Sequence, residues 1–383
     1  MVRLYNTERG GEEPLPEGPV GLYVCGITPY DTTHLGHAFT YVVFDVLVRA
    51  LRARGRTVTY VQNVTDVDDD ILRKAAEVGL SWDRLADEET AIYQSEMAAL
   101  NVMPPDHFPR ASQSLDSIRS MILRLEELGH AYRRDGNVYF EIASAPDYGR
   151  LSRLSREEMI RLAGERGGHP DDSRKRDPLD FLLWQRSAPG EPSWPSPWSE
   201  GRPGWHIECS AMAVGHLGPQ VTVHGGGEDL VFPHHESEIV QSEPVTGVRP
   251  FVRIWMHVGM VRHAGEKMSK SLGNLVLLKD LLGRYHPDAI RTCLLHHHYR
   301  EEWEYRESEM TTAQGWIDEL GRLTAGAGSQ SDDHSPAVEE VLAALDHDFD
   351  TVTALDAVER SIRLGRPGWR RAACVLGLRV SDR

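Results

Sequence analysis

The chain has 383 residues, 40% of them hydrophobic and 26% charged, which is typical of folded globular proteins and excludes long disordered or fibrous architecture. Its formal net charge of −16 at pH 7 opposes non-specific binding to nucleic acid or to an anionic membrane surface. The polar N-terminal segment has no apolar signal core, and no apolar run approaches the roughly 18 residues of a membrane span. We therefore expect a cytoplasmic protein without a membrane partner; we also expect a monomer.

The first predicted elements form a strand, helix, strand unit. Residues 21–30 (GLYVCGITPY) begin as an apolar, β-branched run and end in Gly and Pro, which predicts a buried strand followed by a loop. Apolar residues recur at helical spacing over 34–54, and a second strand is predicted over 57–64. A loop that opens onto a helix between two strands indicates an α/β fold with a Rossmann-like parallel sheet.

The middle of the chain interrupts this sheet. Residues 72–162 have mainly the pattern of amphipathic helices, with one short strand at 137–142, and residues 163–204 are rich in Gly, Pro and charge. Buried strands are predicted again at 220–224 and 251–258. The sheet is therefore expected to resume after the insertion.

The remainder of the chain is predicted to be helical from residue 277, apart from a polar linker at 325–335. Thr28, Asn63 and Thr65 fall at strand ends, where open α/β sheets bind their ligands. The predicted units are a Rossmann-like catalytic domain over 1–275 with a mostly helical insertion at about 90–200, a helical region over 276–325, and a small C-terminal helical unit over 326–383.

Two constellations point to phosphate chemistry. His34, Gly36 and His37 stand where the first loop becomes a helix, whose N-terminal N–H groups attract phosphate, and the two imidazoles share one helix face. Residues 267–274 (KMSKSLGN) form a loop in which Lys267 and Lys270 can neutralise charge at a phosphate. Each constellation alone is compatible with a solvated surface, and the pair together favours nucleotide binding.

Three candidate zinc ligands, Cys25, Cys209 and His234, come from separated segments. Structural zinc sites usually close with four local ligands, whereas three protein ligands from distant loops leave a position for substrate. Glu238 follows His234 by four residues, on the same helix face, and could be a further ligand. Zinc would bind the thiol of cysteine in preference to the hydroxyl of serine. An apolar pocket alone distinguishes these two similar side chains poorly. The alternative interpretation is two buried cysteines and a core histidine.

In this order around an insertion, the two phosphate constellations resemble the HIGH and KMSKS motifs of class I aminoacyl-tRNA synthetases. The segments VCGITPYDTTHLGHA, NVTDVDD, KRDPLDFLLW, RPGWHIECSAMA and HGGGEDLVFPHHE extend the resemblance to the cysteine-activating branch of that class. The resemblance implies that ATP, with Mg²⁺, activates L-cysteine to cysteinyl-AMP, and that residues 276–325 are a stem-contact region. By the same resemblance His34 and His37 stabilise the transition state, and Lys267 and Lys270 hold the pyrophosphate.

Further site residues are expected from the resemblance and from the strand ends. Trp205 is expected to form a wall of the cysteine site, Asp229 to bind the substrate ammonium group, and Thr28 and Thr65 to contact cysteine as well. Glycines 225–227 permit close approach of the backbone to adenosine. The expected ATP and adenylate contacts are Gly26, Ile27, Thr28, Gly36, Thr40, Asn63, Val64, Thr65, Gly225, Gly226, Gly227, Glu228, Asp229, Val261, Met268, Ser269 and Ser271.

Two families of this branch differ in the acceptor of the cysteinyl group. Cysteinyl-tRNA synthetase uses tRNA(Cys), and an ATP-dependent ligase of mycothiol biosynthesis uses the amine of glucosaminyl-inositol. Ile27-Thr28-Pro29, Thr40, the ERGGHP segment at 165–170 and the HYREEWEY segment at 298–305 resemble the ligase. The segment after the lysine loop is also short for an anticodon-reading region.

Other positions resemble the synthetase, namely Glu238, His224 and the Ser-Leu-Gly sequence at 271–273. We expect a ligase that uses glucosaminyl-inositol as its acceptor. The alternatives are a cysteinyl-tRNA synthetase and a cysteine ligase for another amine. A catalytically silent zinc-binding relative is the remaining alternative, although such a protein would have no need of the phosphate-binding histidines and lysines.

Overall fold

The computed structural model describes residues 2–30, 33–268, 272–324 and 335–379. Ser269, Lys270 and Ser271 of the predicted lysine loop lie outside the described residues. The strands are β1 (Arg3–Asn6), β2 (Gly11–Pro14), β3 (Val20–Ile27), β4 (Val58–Val64), β5 (Ala131–Arg134), β6 (Asn137–Phe140), β7 (Phe181–Arg186), β8 (Gly201–Pro203), β9 (Val221–Gly227), β10 (Val252–Val258), β11 (Val261–His263), β12 (Glu266–Lys267) and β13 (Trp303–Glu304). The α-helices are α1 (Leu35–Ala53), α2 (Asp69–Val78), α3 (Trp82–Ala99), α4 (Leu115–Glu127), α5 (Arg156–Glu165), α6 (Trp205–Leu217), α7 (Glu236–Thr246), α8 (Leu278–Leu282), α9 (Pro287–Leu295), α10 (Glu307–Thr324), α11 (Pro336–Leu345), α12 (Thr351–Arg363) and α13 (Trp369–Val375).

The central sheet is parallel, with the strand order β10-β9-β3-β4. Its strands are mostly buried apolar runs, as expected for a parallel sheet that is covered on both faces. The connection from β3 to β4 runs through α1, so the carboxyl ends of β3, β4 and β9 meet at one edge of the sheet. The predicted Rossmann-like α/β fold is confirmed.

The insertion between β4 and β9 contains helices α2 to α5 and an antiparallel sheet with the order β5-β6-β7-β8. The sequence predicted one strand here, at 137–142, and the structure has three more. β7 lies among Gly- and Pro-rich segments and is stabilised by pairing with β6, more than 40 residues earlier, so local patterns did not indicate it. Helices still account for more of residues 90–200 than strands do.

One hydrophobic core joins α1 and the central sheet to α9 and to the C-terminal helices α11 to α13. Within it, Arg291 of α9 and Asp45 of α1 form an ion pair with both side chains fully buried. The regions predicted as 276–325 and 326–383 are helical where they are described, and their division into separate units stays a prediction. None of the helices in the described ranges is long and apolar enough to cross a membrane.

Candidate active site

A cavity of about 850 Å³ opens at the carboxyl edge of the central sheet. Residues from β3, α1, β4, the insertion, α6 and the β10–β12 region line it, so it collects segments from most of the catalytic part of the chain. The predicted site residues among its lining are Cys25, Gly26, Ile27, Thr28, His34, Gly36, His37, Thr40, Asn63, Thr65, Trp205, Cys209, Gly227, Asp229, His234, Val261, Lys267 and Met268. The structure therefore brings most of the predicted set to one place.

Four predicted nucleotide contacts, Val64, Gly225, Gly226 and Glu228, do not line the cavity. A Cβ on Gly225 would lie 2.1 Å from Cζ of Phe44. The absence of a side chain at this position therefore lets β9 pack closely against helix α1. A Cβ on Gly226 would likewise lie 2.7 Å from Cδ1 of Leu230. The two glycines thus pack the wall behind the cavity, and their predicted contact with adenosine stays a prediction.

The strand ends are braced by the Asn63 side chain. Its Oδ1 accepts a hydrogen bond of 2.8 Å from the Gly26 N–H, and its Nδ2 donates to Oγ1 of Thr65 at 3.2 Å. The Thr65 N–H donates to the Ile27 carbonyl at 2.9 Å. This network holds the ends of β3 and β4 together beneath the cavity, and it gives Asn63 a positioning role that the sequence did not predict.

The histidine pair begins helix α1. Nδ1 of His34 accepts a hydrogen bond of 3.1 Å from the Gly36 N–H, so His34 is the N-cap residue of this helix. The His34 and His37 rings stack with centroids 3.7 Å apart. Both rings line the cavity beside the N-terminus of a 19-residue helix, an arrangement that suits a bound phosphate chain.

Lys267 of the lysine loop forms an ion pair with Asp229, with Nζ 3.2 Å from Oδ2. The sequence predicted different partners for the two residues, pyrophosphate for Lys267 and an ammonium group for Asp229. Arg166 of the insertion donates from Nη1 to the backbone carbonyls of Asp229 and Phe232. The segment that carries Asp229 is therefore held from two sides, by the lysine loop and by the insertion.

The predicted metal ligands meet at the closed end of the cavity. Sγ of Cys25 lies 3.8 Å from Sγ of Cys209 and 3.7 Å from Oε1 of Glu238, and Nε2 of His234 lies 3.4 Å from the same carboxylate oxygen. The four ligand atoms all lie within 4.8 Å of one another. Two sulfurs bound at about 2.3 Å to a tetrahedral zinc stand about 3.8 Å apart, so the spacing fits a shared zinc ion. Glu238 belongs to the cluster, as its helical spacing predicted.

Four further histidines surround this cluster, and the sequence analysis assigned none of them a metal-site role. His224 and His235 form a second possible donor set with Cys25 and Glu238. Nδ1 of His235 lies 2.7 Å from Nε2 of His257, and Nδ1 of His206 lies 3.0 Å from Nδ1 of His234. The signal that could have indicated His224 and His257 is their place on β9, which pairs with the strand that carries Cys25, and on β10, the next strand of the sheet.

Burial sets the charge of the cluster. It lowers the pKa of His234 and of His235 well below the usual value, so both imidazoles are neutral, the form that coordinates metals. Burial also raises the pKa of the Cys25 thiol and of the Glu238 carboxyl well above their usual values. A bound divalent cation would favour the anionic forms of both groups.

Fold and site together define a protein of the class I synthetase type. Residues 12–315 match the family model described as the tRNA synthetases class I (C) catalytic domain, and the chain belongs to this family. It is 46% identical over 364 residues to the L-cysteine:1D-myo-inositol 2-amino-2-deoxy-alpha-D-glucopyranoside ligase of Kribbella flavida, covering 94% of this chain and 89% of the relative. It is also 46% identical over 365 residues to the cysteine–tRNA ligase of Legionella pneumophila strain Paris, covering 94% of this chain and 79% of that relative.

Among solved structures, the chain resembles Mycobacterium tuberculosis methionyl-tRNA synthetase bound by methionyl-adenylate. The TM-score is 0.65 at 14% sequence identity, and the match covers 94% of this chain and 88% of the other. At this identity the likeness confirms the fold. The predicted resemblance to the cysteine-activating branch is confirmed by the relatives at 46% identity.

Proposed function

We propose that the protein activates L-cysteine with ATP and Mg²⁺ to cysteinyl-AMP and then transfers the cysteinyl group to the amine of glucosaminyl-inositol, forming an amide. The observation that carries the proposal is that one cavity joins a sulfur-rich metal-ligand cluster to the N-terminus of α1 with its two histidines. The cluster suits the thiol of the amino acid, and the helix end suits the phosphates of ATP.

Zinc is the proposed metal of the cluster, held by Cys25, Cys209, His234 and Glu238. When bound, zinc supplies a soft Lewis acid that binds a thiolate far better than a serine hydroxyl. The Trp205 ring stacks on the His234 ring at 4.3 Å between centroids and lines the cavity, so it would orient this ligand and wall the cysteine site. Discrimination against serine would then need no additional editing site.

Adenylate formation needs charge stabilisation on both sides of the α-phosphate. His34 and His37 at the start of α1 would stabilise the transition state as the cysteine carboxylate attacks, and Lys267 would hold the departing pyrophosphate, with Lys270 as its expected companion. Asp229 would bind the ammonium group of cysteine. Because Asp229 pairs with Lys267 in the structure, cysteine binding at Asp229 would release Lys267 toward the phosphates.

The position of the family-specific residues favours the amine acceptor over tRNA(Cys). Ile27, Thr28, Thr40 and residues 165–169, which resemble the mycothiol ligase, line the cavity. Of the positions that resemble the synthetase, Glu238 is fully buried within the metal cluster, His224 is fully buried beside it, and neither lines the cavity where an acceptor would bind. Cytoplasmic location and a monomeric state stay predictions.

The test separates the two steps of the reaction. The protein loaded with zinc should exchange labelled pyrophosphate into ATP only when cysteine is present, and serine should not replace cysteine. With labelled cysteine and ATP, glucosaminyl-inositol should become cysteinylated and tRNA(Cys) should not. Label found on tRNA(Cys) alone would establish the synthetase alternative, and absence of any exchange would leave the catalytically silent relative.

A further inference from the structure

The cavity extends beyond the cysteine and phosphate ends toward the insertion. There its wall includes Tyr30, Asp68 and Asp69 from the start of α2, and Gln185 and Arg202 from the neighbouring strands β7 and β8. We call these five residues the insertion-facing wall. Cysteine activation as proposed above uses none of them, although the wall belongs to the same cavity.

Asp68 presents a carboxylate oxygen to this wall. Its Oδ1 accepts a hydrogen bond of 2.8 Å from the Asp70 N–H and so caps helix α2. Within the described ranges the side chain makes no other hydrogen bond, so Oδ2 is available to a ligand. Burial, together with the charges of Asp70 and Asp69, raises the pKa of Asp68 to about 6. A carboxylate at this position gains from a cationic partner and can take a proton near neutral pH.

Arg202 is a second, independent feature of this wall that points to a polar ligand. Its side chain is only 4% exposed and donates from Nη2 to Asp69. Its buried Nε has no hydrogen-bond acceptor in the part of the chain that is described, and Oε2 of Glu191 lies 3.9 Å away, beyond hydrogen-bond distance. A buried N–H of a charged group without an acceptor is costly. Because Arg202 lines the cavity, an oxygen-bearing ligand there would add a hydrogen-bond acceptor for its guanidinium group.

Gln185 completes the polar surface. It pairs directly with Arg202 across β7 and β8, and directly opposed residues of an antiparallel pair project from the same face of the sheet. Gln185 lines the cavity, and its side-chain amide makes no hydrogen bond to any described residue. An amide can both donate to and accept from a hydroxyl group, so the wall offers one anionic oxygen and several partners for hydroxyls.

We propose that the insertion-facing wall is the acceptor subsite and binds a polyhydroxylated amine, with the ammonium group on Asp68 and the hydroxyl groups on Gln185 and Arg202. The assignment rests on the proposed function and names the residues that select its second substrate. Tyr30 lines the same wall, and an aromatic ring of this kind can pack against a sugar ring.

The transfer step then follows from this placement. The acceptor ammonium gives one proton to Asp68, and the freed nitrogen lone pair forms a C–N bond with the carbonyl carbon of cysteinyl-AMP. The C–O bond to phosphate breaks, AMP leaves with that electron pair, and the second nitrogen proton passes to solvent. Asp68 is thus a catalytic residue of the second step only.

The experiment compares Asp68→Asn with wild type in three assays. Asparagine keeps the helix cap, so the fold should be retained. Cysteine-dependent pyrophosphate exchange, and trapping of cysteinyl-AMP by hydroxylamine, should stay within about twofold of wild type, because hydroxylamine is small and uncharged near neutral pH. Transfer to glucosaminyl-inositol should fall by roughly 100-fold or more, the usual loss for a proton acceptor. Gln185→Ala should raise the KM for glucosaminyl-inositol and leave the other two assays unchanged.

Asp83→Asn, at the start of the neighbouring helix α3 and outside the cavity lining, is the matched control and should behave as wild type in all three assays. Transfer by Asp68→Asn at the wild-type rate would overturn the subsite, and so would an equal loss in all three assays. A wild-type protein that forms the hydroxamate but never cysteinylates glucosaminyl-inositol would overturn the proposed function, and the acceptor assignment with it.

Discussion

At the scale of single residues, Gly26 stands where the backbone leaves no room for a side chain. A Cβ at this position would lie 1.6 Å from the Asn63 carbonyl oxygen, where β3 and β4 run side by side. The side chain of Asn63 also accepts a hydrogen bond from the Gly26 N–H. Any side chain on residue 26 would therefore push apart the two strands whose ends form the floor of the cavity.

We expect Gly26→Ala to lower the free energy of unfolding by at least about 1–3 kcal/mol, the usual cost of overpacking a well-packed core. Urea unfolding followed by circular dichroism would measure it. Gly11→Ala is the control, because a Cβ there meets nothing within 4 Å. Equal stability of the two variants would show that the strands can separate at little cost.

Cys209→Ala should abolish stoichiometric zinc binding and cysteine-dependent pyrophosphate exchange, because it removes one of the two sulfurs of the cluster. Metal analysis of the purified protein and the exchange assay would measure both effects. Cys374→Ala is the control, since that thiol is exposed. Chelation of wild type should reproduce the loss, and full exchange by a metal-free protein would contradict the zinc assignment.

The structure brings the candidate metal ligands and the histidine pair to one cavity, as the sequence predicted, and their roles stay predictions. Cys25 and His34 were recognisable because they lie near the end of a strand and the start of a helix. The pairing of Lys267 with Asp229 was not predictable in this way. The two residues are 38 positions apart and face each other only because the chain from β9 through β10 to β12 returns to the cavity. Contacts of this kind depend on tertiary structure.

At the scale of elements, the insertion is part of the site and its sheet supports the cavity wall. Local patterns indicated its helices but missed β5, β7 and β8, because short strands are recognisable only through their partners. Helix α5 ends beside Arg166, which donates to the carbonyls of Asp229 and Phe232. The insertion thus positions the segment that leads from Asp229 to His234.

We expect Arg166→Ala to raise the KM for cysteine by roughly tenfold, since hydrogen bonds from a charged group contribute about 1.5–3 kcal/mol and Asp229 would lose its support. The KM for ATP should change much less, because the α1 end of the cavity is untouched. Steady-state pyrophosphate exchange measures both constants. Arg161→Ala on the same helix, which breaks only an exposed pair with Glu165, should leave them unchanged; equal changes in both constants would contradict a specific role.

At the scale of the whole molecule, a buried ion pair ties the C-terminal helices to the catalytic fold. Arg291 donates to Asp45 and to the carbonyls of Leu376 and Leu100, so one guanidinium connects α9, α1, the end of α3 and the chain after α13. The polar linker at 325–335 predicted separate helical units here, and nothing local indicated that they share one core with α1.

Asp45→Ala should destabilise the protein by about 3–5 kcal/mol, because it leaves the Arg291 charge buried without its partner. Chemical denaturation would measure the change. Arg363→Ala, which removes an exposed ion pair with Glu319, is the control and should unfold close to wild type. A small effect of Asp45→Ala would mean that water reaches Arg291 once the carboxylate is gone.

The cavity joins the parts of the molecule that the two reaction steps would use. Because the cysteine–histidine cluster, the N-terminus of α1 and the insertion-facing wall all line the same cavity, the mixed anhydride of the proposed reaction would form and meet the amine without leaving it. Retention of the anhydride in the cavity limits its hydrolysis by bulk water. Without acceptor, ATP consumption should therefore stop after roughly one turnover per protein molecule. Addition of the acceptor should then consume the bound cysteinyl-AMP and restart ATP consumption.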